Sequence, residues 1–107
     1  MRIRSEIKSD YITEQDHEIA KIANALSHPL RVALVRFLNE KDQETGLDNE
    51  TCNKYLREMF DYSQSTLSQH VKILKDCGLF TTRVQDKFTF YHLNRELLQK
   101  FKDSLAH

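Results

Sequence analysis

The sequence predicts a mainly α-helical domain that carries one small β-hairpin. Three observations lead to this prediction. Apolar residues recur at intervals of three and four in several stretches, which is the spacing of one helix face. The 107 residues include only two glycines and one proline, so few residues that favour tight turns are present. After Gly78 the apolar spacing changes to every second residue, which is the period of a strand.

Length and composition limit the class of protein. We expect a single domain spanning residues 1–107, or one subunit of an oligomer. Charged residues make up 30% and hydrophobic residues 39%, which is typical of a globular chain and not of a disordered one. No run of about 18 apolar residues could cross a membrane, and no apolar segment follows the first arginines as in a secretory signal. We therefore expect a cytoplasmic protein with no membrane partner.

The N-terminal part of the chain predicts two helices. Residues 1–12 show weak helical spacing without a cap, so we expect an arm or a weak helix there. The first clear helix is predicted to begin at Thr13, which forms a near capping box with Asp16. Ser27 is expected to cap the next helix, with Pro29 in its first turn. The stripes expected to be buried are Ile19, Ile22, Ala23 and Leu26, then Leu30, Leu34, Phe37 and Leu38.

A charged segment separates these helices from the next one. The second helix is expected to end near Asn39, and residues 40–49 predict a loop because they are charged and contain a glycine. A third helix is predicted over residues 50–59, capped by Asp48 or Asn49. Its inward side chains are expected to be Tyr55, Leu56 and Met59.

Residues 62–79, YSQSTLSQHVKILKDCGL, predict a short helix with two different faces. Ser63 is a good N-cap, and Gly78 is a good left-handed stop. The apolar face contains Leu67, Val71 and Leu74, and the hydrogen-bonding face contains Ser65, Ser68, Gln69 and Lys72. A short turn at residues 60–62 joins this helix to the third one. The pair is therefore predicted to be a helix-turn-helix whose second helix contacts DNA.

The C-terminal part predicts a hairpin followed by a last helix. Residues 80–84 and 88–91 alternate and are rich in β-branched and aromatic side chains, which favours two strands. Residues 85–87 lie between the strands as a turn without an Asn-Gly signal, which leaves the turn type open. Asn94 is expected to cap a helix over residues 94–106. Its apolar stripe contains Leu97, Leu98, Phe101 and Leu105.

The net charge of zero argues against a DNA-binding protein, but the charges are unevenly distributed. Residues 1–62 hold nine basic and twelve acidic side chains, a balance of −3. Residues 63–92 hold four basic and two acidic side chains, a balance of +2. The positive excess thus falls on the region predicted to contact DNA. We expect salt-sensitive but not very tight non-specific binding.

Three strings resemble one known family. SHPLRVALVRFL resembles the second-helix motif of the ArsR/SmtB repressors, SQSTLSQHVKILKDCGL resembles their recognition helix, and TTRVQDKFTFYHL resembles their β-wing. The resemblance covers roughly residues 17–106 and implies a dimeric winged helix-turn-helix repressor that binds double-stranded DNA. It also implies a homodimer through the first and last helices, with residues 94–106 as the dimerisation helix. Independently, the apolar stripes of both terminal helices need a cover that a small domain does not provide.

The recognition helix and the hairpin together predict the DNA-binding residues. Two-fold symmetry predicts an inverted-repeat operator with half-sites about 34–36 Å apart. Glutamine can pair with adenine, serine can bind a base edge or a phosphate, and Lys72 is expected to neutralise phosphate. His70 is open to two interpretations, a phosphate contact or a partly buried histidine bonded to the backbone. The predicted set is Ser63, Gln64, Ser65, Thr66, Ser68, Gln69, His70 and Lys72 on the helix, with Arg83 and Lys87 on the hairpin.

No metal ligand set and no cofactor are predicted. Metal sensors of the family carry a Cys-x-Cys pair on the third helix or Asp/His ligands on the last one. Here the third helix has Cys52 alone, and Arg95, Glu96 and Leu97 stand at the other position. Cys52 and Cys77 remain candidates for a redox or sensor site if their Cα atoms lie within about 7 Å. Alternatively, Cys77 is a small buried hydrophobe, and the effector is a small molecule or another signal.

Two other classes of function are alternatives to a repressor. An enzyme is not expected, because the sequence has no Gly-rich phosphate loop, no HExxH or CxxC motif and no nucleophile–base pattern. A winged-helix module that binds protein is the alternative favoured by the neutral net charge. The polar, aromatic-free face of the recognition helix argues against it, because protein-binding hot spots favour Trp, Tyr and Arg. A metal- or redox-responsive repressor that uses Cys52 is a further alternative.

Overall fold

The computed structural model describes the backbone of residues 11–45 and 50–105 and the side chains of residues 11–40 and 53–105. Within these ranges the helices are α1 (Glu14–Ala25), α2 (Pro29–Thr45), α3 (Asn53–Phe60), α4 (Gln64–Asp76) and α5 (Arg95–Ser104). The strands are β1 (Glu50–Cys52), β2 (Phe80–Gln85) and β3 (Phe88–Leu93). The predicted mainly α fold with five helices and a two-stranded hairpin is confirmed. An arm or weak helix was predicted over residues 1–12, and residues 1–10 of that segment lie outside the described residues.

Short-range caps fix the beginnings of α1 and α5. At α1 the Thr13 hydroxyl accepts the Asp16 N–H at 3.2 Å, and the Asp16 carboxylate accepts the Thr13 N–H at 2.8 Å. This completes the predicted capping box, and the same backbone hydrogen bond lowers the pKa of Asp16. At α5 the Asn94 side chain accepts the Leu97 N–H at 3.1 Å, as predicted.

The start of α2 differs from the prediction by one residue. His28, and not Ser27, is the cap: its Nδ1 accepts the Leu30 N–H at 3.1 Å, and its carbonyl accepts the Val32 N–H at 3.1 Å. The Ser27 hydroxyl donates instead to the Asn24 carbonyl at 2.6 Å, so it satisfies the end of α1. The sequence does not distinguish these two roles, because Ser27 lies in the short turn that joins α1 to α2.

The sheet has three strands, one more than the hairpin. β1 pairs antiparallel with β3, and β3 also pairs with β2, in the order β1–β3–β2. The prediction of a helix from residue 50 was therefore wrong in its first three residues. The predicted loop over residues 40–49 was wrong as far as residue 45, because α2 continues to Thr45, and residues 46–49 lie outside the described residues. A strand of three residues is too short to show a period in sequence.

The hairpin closes with a two-residue turn. Gln85 pairs with Phe88, which leaves Asp86 and Lys87 as the turn and places Gln85 in β2. Asp86 has φ +55, a left-handed conformation that aspartate tolerates better than most residues. The register puts Phe80 opposite Leu93, and both are buried against the helices.

The core lies between the helices and one face of the sheet. Its fully buried side chains are Leu34, Leu38, Leu56, Leu74, Leu79, Phe80 and Leu93. In α3 only Leu56 points fully inward, and the predictions for Tyr55 and Met59 were wrong, because a helix of eight residues turns one narrow stripe to the core. Tyr55 instead stacks on Phe37, with ring centroids 5.9 Å apart. The predicted stripe of α5 is half-buried up to Phe101, and Leu105 is exposed.

Candidate nucleic-acid interface

The helix α4 is held by the core on one side and is open to solvent on the other. Leu67, Val71 and Leu74 are buried as predicted, and α4 packs against α1, α2, α3 and β2. The turn from α3 contains Asp61, whose φ of +53 lets the chain reverse in three residues. Gly78, with φ +93, ends the helix as predicted. The helix-turn-helix pair therefore presents the polar face of α4 on a rigid support.

The first turn of α4 is a small hydroxyl network. The Ser63 hydroxyl accepts the Thr66 N–H at 3.2 Å, which is the predicted N-cap, and donates to the Thr66 hydroxyl at 2.9 Å. The Ser65 hydroxyl lies 3.3 Å from that of Ser63. Ser63 and Ser65 are exposed, and Thr66 is half-buried. These groups order the helix N-terminus, where backbone N–H groups favour an anion such as a phosphate.

Three predicted base readers, Gln64, Ser68 and Gln69, lie on the solvent side of α4, which we call the exposed ridge. Gln64 donates from Nε2 to the Ser68 hydroxyl at 3.0 Å, one turn further along α4. Its Oε1 is buried and accepts no hydrogen bond from the described residues. Gln69 and Ser68 are exposed. The amide of Gln64 is thus held along the helix by one neutral hydrogen bond, and a base edge would have to replace that bond.

Lys72 and the hairpin carry the predicted cationic contacts. The Lys72 ammonium lies 3.0 Å from the Asp76 carboxylate, and both side chains are exposed. Such a pair is worth about 0–1 kcal/mol, so a phosphate can compete with Asp76. On the hairpin, Arg83 donates to the Gln85 side chain at 2.6 Å and lies 4.7 Å from the centre of the Phe90 ring. Lys87 is exposed in the turn.

His70 is turned away from the exposed ridge. Its Nδ1 lies 3.0 Å from Nη1 of Arg31, and its ring lies 4.5 Å from the ring of His28. The pKa of His70 is lowered by desolvation first, and then by the charges of His28 and Arg31. The interpretation as a histidine bonded to the backbone was therefore wrong about the partner, which is the Arg31 side chain. A DNA contact by His70 stays a prediction.

Two basic residues of α3 were missed in the sequence. Lys54 and Arg57 line an open groove beside the N-terminus of α4, together with Glu58, Tyr62, Ser63 and Gln64. In helix-turn-helix proteins the first helix of the pair crosses the DNA backbone. The sequence does show two basic residues three positions apart, on one face of the helix before the turn. It does not show that they lie beside Ser63, because that depends on the fold.

A comparison with known proteins assigns the family. The family model described as "Bacterial regulatory protein, arsR family" matches residues 28–82, which is more than half of the chain. The chain belongs to the ArsR family. The predicted resemblance is thereby confirmed, and so is a function in the regulation of transcription. This family consists of regulatory proteins and not of enzymes.

Relatives and solved structures agree with this membership. The arsenical resistance operon repressor of Staphylococcus xylosus is 35% identical over 88 residues, which cover 82% of this chain and 77% of the repressor. The crystal structure of the transcriptional repressor BigR from Xylella fastidiosa is 30% identical, with a TM-score of 0.63 over 86% of this chain and 92% of BigR. HlyU from Vibrio cholerae is 26% identical, with a TM-score of 0.69 over 87% and 94%.

In this ArsR-family protein the structure describes the side chain of Cys77 but not that of Cys52. Cys77 is half-buried, donates to the Leu74 carbonyl at 3.3 Å, and has a pKa raised by burial. These features fit a small hydrophobe at the end of α4. Cys52 lies in β1 and not in the third helix, and its side chain is outside the described residues. The proposed pairing of Cys52 with Cys77 stays a prediction.

Among the side chains that the structure describes, no three or more histidine, cysteine, aspartate and glutamate residues come together in a way that could hold a metal ion. Within residues 11–45 and 50–105, every helix is too short or too polar to cross a lipid bilayer.

Proposed function

We propose that this ArsR-family protein is a repressor that binds an inverted-repeat operator as a homodimer. The recognition helix α4 enters the major groove, and the β2–β3 hairpin is the wing beside it. The observation that supports this most is the exposed ridge of hydrogen-bonding side chains on α4, which stands on a fully buried apolar stripe. Two of the proteins named above, the arsenical resistance operon repressor and BigR, are described as repressors, which agrees with the proposal.

The proposed contacts fall into two groups by their chemistry. Base edges would be read by Gln64, Ser65, Ser68 and Gln69, because amides and hydroxyls can both donate and accept. Phosphates would be bound by cations and by the helix N-terminus, which carry no sequence information. The residues proposed for phosphate are Ser63, Thr66 and Lys72 on α4, Arg83 and Lys87 on the wing, and Lys54 and Arg57 on α3.

The proposed homodimer uses α1 and α5. These helices pack together and leave an apolar groove whose walls include Ile19, Ile22, Leu97 and Phe101. No residue of α5 is fully buried within one subunit, although its apolar side is continuous. A second copy would cover this surface, and the two-fold axis would place the two α4 helices in successive major grooves.

We propose that the protein works in the cytoplasm and is released from its operator by an effector. Two related proteins are named for arsenical resistance and cadmium resistance, which describes those proteins. For this chain Cys52 is the candidate for a metal or redox effector. Metal analysis and thiol titration of the reduced dimer test this: stoichiometric metal supports the Cys52 site, and a metal-free dimer with two inert thiols rejects it.

The DNA-binding proposal is tested by a gel shift with the promoter region of the protein's own gene at two salt concentrations. We expect a specific shift that weakens as salt rises. The double variant Ser68→Ala with Gln69→Ala should lose about tenfold or more of the preference for the operator, since one good base contact is worth about 1–3 kcal/mol. Its non-specific binding should not change. Val32→Ala, an exposed change on α2 outside the proposed DNA and dimer contacts, is the control.

Two results would contradict the proposal. No shift at low salt would reject a DNA-binding repressor. An unchanged preference for the operator in the double variant would reject α4 as the reading helix and would favour a protein-binding module.

A further inference from the structure

Arg31 is a buried cation that joins three parts of the fold. It exposes only 9% of its surface. Its Nε donates to the Ala25 carbonyl at 2.7 Å, at the end of α1. Its Nη2 donates to the Ser27 hydroxyl at 3.5 Å, and its Nη1 lies 3.0 Å from Nδ1 of His70 on α4. One guanidinium therefore links the end of α1, the α1–α2 turn and the middle of the recognition helix.

The chemistry of the guanidinium fixes the form of His70. Arginine has only donors, so the short contact requires a lone pair on Nδ1 of His70. The imidazole must then be neutral, with its proton on Nε2. The neighbouring His28 ring lies 4.5 Å away, and its Nδ1 accepts the Leu30 N–H. Both rings are thus held as acceptors by donors from α2.

The link between Arg31 and His70 is difficult to replace. The three acceptors of the guanidinium are a carbonyl, a hydroxyl and an imidazole, and all are neutral. If the lone pair of His70 were removed, a cationic N–H of the buried Arg31 would lose its partner in this partly buried contact, which costs free energy. If His70 took up a proton, two positive groups would face each other at 3.0 Å.

We propose that Arg31 and His70 are positioning residues that set the orientation of α4 relative to α1, and that His70 does not contact DNA. This inference rests on the proposed function, because α1 forms part of the proposed dimer interface. Specific binding needs both recognition helices at a fixed spacing, so a change in the tilt of α4 would weaken contact with at least one half-site. Non-specific binding to phosphates tolerates such a tilt.

A pair of substitutions at position 70 separates positioning from direct contact. Asparagine places its amide oxygen near the position of Nδ1, whereas glutamine places its amide near Nε2. We expect His70→Asn to keep the operator affinity within about threefold, because it still accepts from Arg31, and His70→Gln to lose about tenfold. Both should bind non-specific DNA like the wild type, and circular dichroism should give the same helix content. Any other ranking of the two variants would overturn the proposal.

Arg31 provides an independent measurement. Arg31→Met should lower the operator affinity about tenfold, and adding His70→Gln to it should cost little more, since both changes remove the same contact. If the two substitutions instead lower the operator affinity of the double variant by the product of their separate factors, the proposal is overturned. The ¹⁵N spectrum of the wild-type protein without DNA should show His70 with Nδ1 unprotonated, and a protonated Nδ1 would also overturn it.

A failure of the proposed function can be distinguished from a failure of the positioning role by the DNA binding of the wild-type protein. In that case the wild-type protein would itself show no preference for the operator over other DNA. The positioning role in DNA binding would then be rejected as well, whatever the ¹⁵N spectrum shows. If the wild type binds specifically and the variants follow a different order, only the positioning role is rejected.

Discussion

Replacing Gly78 with alanine tests the junction between α4 and α5. Gly78 follows the last turn of α4 with φ +93, and its N–H donates to the Lys75 carbonyl at 3.0 Å. A methyl group at this position would lie 3.1 Å from Cδ2 of Leu97 in α5. The junction is also closed by Asn94, whose side-chain amide donates to the Gly78 carbonyl at 3.3 Å. Gly78→Ala therefore perturbs the backbone conformation and one interhelix contact.

The expected loss of stability follows from three contributions. A residue with a Cβ pays roughly 1–2 kcal/mol in the left-handed region. Alanine also lowers the conformational entropy of the unfolded chain, which stabilises the folded state by about 0.4–1 kcal/mol. The contact with Leu97 adds a small cost, because the end of a flexible side chain can shift by a few tenths of an ångström. The free energy of unfolding should fall by about 1 kcal/mol, which lowers Tm by about 4–8 °C in a domain of this size.

Urea unfolding measures the change, at one fixed protein concentration because dimerisation would shift the transition. The same substitution in a Leu97→Ala background removes the steric contribution and keeps the backbone one. We expect a slightly smaller loss there. A change below about 0.3 kcal/mol in the wild-type background would refute the reasoning, because it would mean that the positive φ costs nothing here.

Two further predictions concern the ends of α4. Ser63→Ala should lower the free energy of unfolding by about 1 kcal/mol, because the Thr66 N–H loses its acceptor, as measured by urea unfolding. Ser65→Ala, which removes no backbone acceptor, should change it by less than about 0.5 kcal/mol, and equal losses would contradict the capping role. In a Cys52→Ser background, Cys77 should react with an aromatic disulfide more slowly than free cysteine at pH 8, because its raised pKa reduces the thiolate fraction. A rate that does not increase when the protein is unfolded would contradict this.

The candidate site could be predicted only in part from sequence. The ridge of α4 was visible, because residues three and four apart share one face of a helix. The basic residues Lys54 and Arg57 were not singled out, because their position beside Ser63 depends on the angle between two helices. Arg31 was also missed as a buried group, since an arginine in an amphipathic helix is expected to be exposed. The role of His70 could not be chosen without knowing which side chain faces it.

The sequence by itself determined where three of the five described helices begin and where α4 ends. The caps at Thr13, Ser63 and Asn94, and the stop at Gly78, depend on contacts within about one turn, so the local residues suffice.

Only the tertiary structure decided the features that join distant parts of the chain. The strand β1 exists because the edge of β3 offers unpaired backbone groups, some forty positions further along the sequence. Arg31 is buried because its acceptors lie 6 and 39 positions away, on α1 and α4. Folding brings those acceptors together around the guanidinium, and no spacing in the sequence records that they meet.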